Sequence, residues 1–93
     1  MTEVRHDTKA FRFVLEIEGQ EAILTYSQKG ESLDFYHTFV PESLRGRGLA
    51  EKVVKAGFDY AKEKGLKVIP SCPYVSGPFL KRYGEYRSLI SSE

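Results

Sequence analysis

Val40-Pro41-Glu42-Ser43-Leu44-Arg45-Gly46-Arg47-Gly48-Leu49-Ala50 is where this sequence changes its hydrophobic period. Before it, Leu33–Val40 is rich in aromatic and β-branched residues, as a strand is. After it, Leu49, Val53, Ala56 and Tyr60 recur at helical spacing, and Ala50, Val54, Phe58 and Ala61 widen the stripe. Lys52, Lys55, Lys62 and Glu63 fall largely on the other side. A strand therefore hands over to a helix through two glycines one residue apart. Such a junction offers unpaired backbone N–H groups at the positive end of a helix dipole, which suits a phosphate. The glycines let the main chain approach a ligand, and Arg45 and Arg47 add charge. Neither GxxxxGK[ST] nor GxGxxG is present. The other readings are a plain glycine-rich connection or a scrap of RNA-binding Arg-Gly repeat, and a single copy on a structured turn argues against RNA.

Toward the N-terminus, Phe11, Phe13, Leu15 and Ile17 alternate with mostly polar residues, which predicts a half-buried strand over 10–18. Glu18-Gly19-Gln20-Glu21 makes a tight turn into a strand over Ala22–Gln28, and Lys29-Gly30-Glu31 turns the chain again. The three strands form an antiparallel meander. Toward the C-terminus, Lys62, Lys64 and Gly65 finish the helix, and Leu66–Ile69 is a short strand stopped by Pro70. Strand, helix, strand in this order predicts a right-handed crossover with Leu33–Val40 parallel to Leu66–Ile69. A second helix is expected over about Val75–Tyr83, starting near Pro78, with an irregular tail whose Leu89 and Ile90 are pinned to the core. The expected fold is α+β: a small mixed sheet, meander plus β-α-β crossover, with two helices. One domain over 1–93, its core about 10–86, accounts for all of it.

Composition bounds the function. At 93 residues with 41% hydrophobic and 29% charged side chains, the chain holds one thin core. No apolar run approaches a membrane span, and the start lacks the apolar stretch of a signal peptide. A lone Cys72 precludes an internal disulfide, and two histidines with one cysteine make a structural zinc site a poor fit, so the expectation is a cytoplasmic protein with no metal. Net charge is +1, but residues 1–43 carry four basic groups against eight acidic, and residues 44–93 ten against five. That suits a small phosphorylated ligand on the second half better than a polyanion, so no nucleic-acid partner is expected. Chance placement of surface side chains would also produce it.

The run Arg45-Gly46-Arg47-Gly48-Leu49-Ala50 matches [QR]-x-x-G-x-[GA] in every fixed position, and here the chain resembles the GCN5-related N-acetyltransferases (GNAT). The context is similar too: a strand ending in Val-Pro, the loop, an amphipathic helix ending in Gly, then a short strand. With His37-Thr38-Phe39-Val40-Pro41 and Ile69-Pro70-Ser71-Cys72-Pro73-Tyr74, the chain looks like a sub-branch of minimal, single-domain members. The resemblance covers about residues 10–86. It implies that acetyl-CoA is the cosubstrate, with N–H groups of Arg47–Ala50 cradling its pyrophosphate. Arg45 and Gly46 belong to the same loop. The strands Leu33–Val40 and Leu66–Ile69 would part, and the pantetheine arm would pair with the backbone at Phe39 and Val40 like an added strand. Phe79 would pack on that arm, and Arg82 would reach its phosphates.

Amide formation needs an unprotonated amine, a polarised thioester and a proton for the departing thiolate. His37, near the expected parting, is either a base or a packed histidine bonded to backbone. Cys72, where the thioester should sit, is a proton donor, a nucleophile that carries the acyl group, or simply a buried thiol. Larger family members carry a donor tyrosine in a stretch like F-Y-x-x-x-G-F. Here the run is Phe79-Leu80-Lys81-Arg82-Tyr83-Gly84, and Leu80 takes the tyrosine's place. Cys72, Tyr74 or water has to supply the proton instead.

The expected activity is transfer of acetyl from acetyl-CoA to a primary amine by direct attack. The alternatives are a non-catalytic CoA-binding module and a transferase acylated at Cys72. The acceptor, whether protein lysine, polyamine or small metabolite, is left open, and a monomer or weak dimer is expected.

Overall fold

A computed structural model describes residues 4–91 and arranges five strands in one mixed sheet, in sequence order. They are β1 Arg5–Asp7, β2 Arg12–Ile17, β3 Gln20–Lys29, β4 Ser32–Phe39 and β5 Lys67–Ile69. Neighbours β1 to β4 are antiparallel, and β4 and β5 are parallel. The expected meander and crossover are both present. The edge strand β1 was not expected, because Arg5-His6-Asp7 is polar and too short to show a period.

Helix α1, Leu49–Lys64, covers one face of the sheet. Its Val53, Val54, Phe58 and Ala61 are fully buried against Leu15, Leu24 and Phe35. Each large apolar side chain so buried contributes on the order of 2 kcal/mol. Gly57 is what lets the helix sit this close: a Cβ there would lie 2.8 Å from Leu24 Cδ2 and 2.9 Å from Phe35 Cζ.

Two expectations are corrected. The second helical run, α2, spans residues 73–82 and starts at Pro73, not near Pro78. Pro73 needs no amide partner in a first turn, whereas Pro78 falls inside a widened π turn, Val75–Phe79, where the loss of one N–H donor is accommodated. The tail is not irregular either. Gly84–Leu89 forms a 3-10 run that buries Tyr86, whose hydroxyl donates to Asp59 at 2.6 Å. Ile90 then bridges to Val68 in parallel, and the Ser91 N–H donates to the Val68 carbonyl at 2.8 Å.

What positions the site is an interruption in β4. Its pairing with β3 slips between Thr25 and Tyr26, so that Tyr36 is an extra residue between Phe35 and His37. This bulge lets Phe35 and Thr38 face α1 together with their cross-strand partners Tyr26 and Leu24, while His37 and Phe39 face the other way. The same strand loses its other neighbour. It pairs with β5 only at Ser32, Leu33 and Asp34. One further bond, from the Cys72 N–H to the Phe35 carbonyl at 2.8 Å, closes the junction. Beyond it the β4 edge has no strand partner among the described residues.

Candidate functional site

The chain leaves β4 through Pro41 and the short 3-10 turn Glu42–Leu44, anchored by the fully buried Leu44. Arg45 returns to extended backbone, and its Nε donates to the Val40 carbonyl at 3.2 Å. Gly46 and Gly48 follow at φ 87° and 74°, the left-handed region that favours glycine. The sequence therefore has glycine where this turn needs it. No side chain caps α1 at Gly48. The N–H groups of Leu49, Ala50 and Glu51 lie in the first turn, where a helix supplies no acceptor. These donors face a cleft of about 340 Å³ lined by Val40, Leu44, Arg45, Gly46, Gly48, Leu49, Ala50, Glu51 and Tyr74.

Of the residues singled out for the cosubstrate, the cleft brings together Val40, Arg45, Gly46, Gly48, Leu49 and Ala50. Arg47 turns away to Glu18, 3.5 Å distant. Phe39 projects on the opposite face and is 45% exposed. Phe79 is corrected outright: it is 1% exposed and stacks on Phe58 at 5.3 Å, so its ring belongs to the core. Arg82 reaches the rim, 3.3 Å from Glu51.

Glu51 was not anticipated. A carboxylate in the first turn of a helix is favourable, but beside a phosphate site it would repel. Here Arg82 offsets its charge, and the Tyr83 hydroxyl donates to it at 2.6 Å. A first-turn glutamate is visible in the sequence; its partner 32 residues away is not.

The three residues considered for chemistry lie around the parted strands. Cys72 is buried, and its Sγ is 3.3 Å from the Thr38 hydroxyl, on the α1 side of the sheet. His37 is exposed on the other face. The structure thus separates these two groups across the sheet. Tyr74 lines the cleft, and burial, with Glu51 and Tyr83 adding to it, pushes its phenol above the usual tyrosine range. It therefore holds its proton at neutral pH. An anion at the open helix end and an amide-bearing arm along the unpaired β4 edge both find partners here. Among the described residues no group of three or more His, Cys, Asp and Glu is placed to hold a metal ion, and no helix is long and apolar enough to cross a membrane.

Residues 12–89 match the model of a family described as GCN5-related N-acetyl-transferase. Protein NATD1 of Gallus gallus is 37% identical over 76 residues, which is 78% of this chain and 69% of that protein. Its counterpart in Homo sapiens is 36% identical over 75 residues, 77% of this chain and 66% of that one. A solution structure of a GCN5-like protein from Staphylococcus aureus superposes with a TM-score of 0.73 at 26% identity, covering 98% of this chain and 89% of that one.

Proposed function

Because this chain belongs to the GCN5-related N-acetyltransferase family, we propose that it transfers an acetyl group from acetyl-CoA to a primary amine by direct attack. The observation that carries the reading is the uncapped start of α1, which opens into a cleft that reaches Val40, the residue just past the strand β4 whose edge is unpaired beyond its bond to Cys72. The donors of Leu49–Glu51 and the Arg45 guanidinium would take the pyrophosphate, with Arg82 at the rim. Val40 and the backbone edge of β4 would take the arm. A main-chain N–H at the bulge would polarise the thioester carbonyl.

In the transfer, the amine nitrogen bonds to the carbonyl carbon as the C–S bond breaks. The proton lost from nitrogen goes to His37, directly or through water, on the open face. The sulfur takes a proton on the α1 side. Tyr74 is the donor this geometry favours, because it lines the cleft in its protonated form. Cys72 is tied to Thr38 and closes the end of the parting, which suits a positioning role better than an acyl carrier. The acyl group then passes to the acceptor without stopping on the protein.

Titration with acetyl-CoA, followed residue by residue in solution, tests binding: shifts must cluster at 45–51 and at Val40, and silence there refutes the reading. Tyr74→Phe is expected to lower kcat by about a hundredfold while leaving acetyl-CoA binding nearly unchanged, in the range of a lost general acid. Cys72→Ser is expected to lose less than about tenfold, the weaker effect of a positioning group. Intact-mass measurement during turnover is expected to show no acetyl on Cys72, and an acetyl found there overturns the direct route.

A further inference from the structure

The cleft at the start of α1 holds one group of the wrong sign for a phosphate. Glu51 lies in the first turn and lines the cleft, with its side chain 27% exposed. A carboxylate there is drawn to the positive end of the helix and to the same first-turn N–H groups that a pyrophosphate would use. Left to itself, it would compete for the anion position from within the chain. Two neighbours hold it. Arg82 Nη1 is 3.3 Å from its Oε2, and the Tyr83 hydroxyl donates to its Oε1 at 2.6 Å. Arg82 ends α2 and Tyr83 follows it, so successive residues grip the two carboxylate oxygens.

The two grips are unequal. The Arg82 side chain is 71% exposed, and an ion pair so open to water is weak and easily exchanged. A phosphate at the rim offers the same guanidinium a competing acceptor that its planar fork suits. The Tyr83 bond is short, charge-assisted and built on a rigid base. The Tyr83 N–H donates to the Phe79 carbonyl at 2.8 Å, and the two rings lie 5.0 Å apart, with Phe79 in the core. The bond to Glu51 in turn pushes the Tyr83 phenol above the usual tyrosine range, so it keeps its proton at neutral pH and remains a donor. When Arg82 turns to a ligand, the Tyr83 grip on Glu51 remains.

We propose that Tyr83 is a positioning residue of the cosubstrate site: it holds the Glu51 carboxylate away from the anion position, so that Arg82 is free to leave Glu51 for the pyrophosphate. The proposal rests on the acetyl-CoA reading and adds to it how a glutamate is accommodated in a phosphate cleft. Tyr83 acts through Glu51 and needs no contact with the ligand.

The test is a double-mutant cycle on the full chain, Tyr83→Phe with Glu51→Gln, read by calorimetric titration with acetyl-CoA. Tyr83→Phe keeps a ring against Phe79 and removes only the hydroxyl. It is expected to weaken acetyl-CoA about tenfold, the order of one charge-assisted hydrogen bond. Glu51→Gln removes the competing charge and is expected to tighten binding several-fold. The double variant is expected to bind as Glu51→Gln does, because no carboxylate is left to hold. A Tyr83 that served only to pack the chain would carry its loss into the double variant, and that result overturns the proposal. Weaker binding by Glu51→Gln than by the parent overturns it too, as does parental affinity in Tyr83→Phe. A second readout needs no ligand: the Gly48 and Leu49 amide resonances are expected to move in Tyr83→Phe and to return in the double variant. Absence of acetyl-CoA shifts at 45–51 in the parent refutes the transfer reading, whereas amides unmoved by Tyr83→Phe in the free protein refute the role of Tyr83.

Discussion

Helix α1 begins and ends on glycines of the same shape, Gly48 at φ 74° and Gly65 at φ 71°, yet its two ends are finished in opposite ways. At the C-terminal end the Gly65 N–H turns back on the carbonyls of Ala61 and Lys62, and the Leu66 N–H bonds to Ala61 at 2.8 Å. Lys62 and Lys64 in the last turn face the negative pole of the dipole. Every device for closing a helix is used there. At the N-terminal end no side chain caps the first turn, and the left-handed backbone of Gly48 is not the extended conformation from which serine, threonine, aspartate or asparagine cap a helix. The backbone conformation is shared; the neighbours differ. One glycine completes the helix, and the other leaves it incomplete toward a cleft. An end left open beside an end so fully closed is what a ligand site requires.

The sharpest way to break this contrast is to close the open end. Gly48→Asp places a carboxylate beside the position where a pyrophosphate would sit. Acetyl-CoA affinity is expected to fall by about a hundredfold, through like-charge repulsion and the strain of a side chain at a left-handed position. Calorimetric titration measures it, and affinity within threefold of the parent would remove the loop from the binding site. The complementary change opens the closed end. Gly65→Ala strains a left-handed position and should cost about 1 kcal/mol of stability in urea unfolding, with acetyl-CoA affinity unchanged. If Gly65→Ala weakens the ligand as much as Gly48→Asp, the two ends are not functionally distinct.

Much of this was legible in the sequence, and what was missed has physical causes. The change from period two to period 3.6 across Val40–Ala50 is a burial pattern, and burial patterns are local. The meander, the crossover and the glycine turn could therefore be read directly. The β4 bulge could not. Leu33, Phe35 and Phe39 read as an unbroken alternation, and only the pairing with β3 reveals that Tyr36 is extra. That one residue decides which face His37 takes, and hence that it and Cys72 stand on opposite sides. Phe79 was misassigned for a similar reason. An aromatic residue in a helix near a ligand path looks the same in sequence whether it faces the ligand or, as here, Phe58. Glu51 with Tyr83, and Asp34 with its spare oxygen, are products of tertiary contact, and no spacing announces them.

The smallest expected effect concerns the closed end of α1, where Tyr60 packs edge-on against His6 of β1 at 4.4 Å. His6 also stacks on Phe13 at 4.1 Å, and its Nε2 shares a hydrogen bond of 2.6 Å with the Tyr26 hydroxyl. Burial lowers the His6 pKa below its usual 6.5, a shift that the nearby Asp7 carboxylate partly opposes. The folded protein thus binds this proton less readily than the unfolded chain does. Above about pH 6.5 both states hold a neutral ring and the group adds no pH dependence. As pH falls below that value the unfolded chain is protonated first, and stability declines until the folded pKa is also passed. His6→Gln removes the titration, so the difference in Tm between parent and variant should narrow or reverse as pH falls from 7 to 5. A constant difference would mean that the ring titrates alike in both states. Acetyl-CoA affinity in the variant should stay at the parent's level at neutral pH, because none of Phe13, Tyr26 and Tyr60, which His6 touches, lines the cleft at the open end of α1.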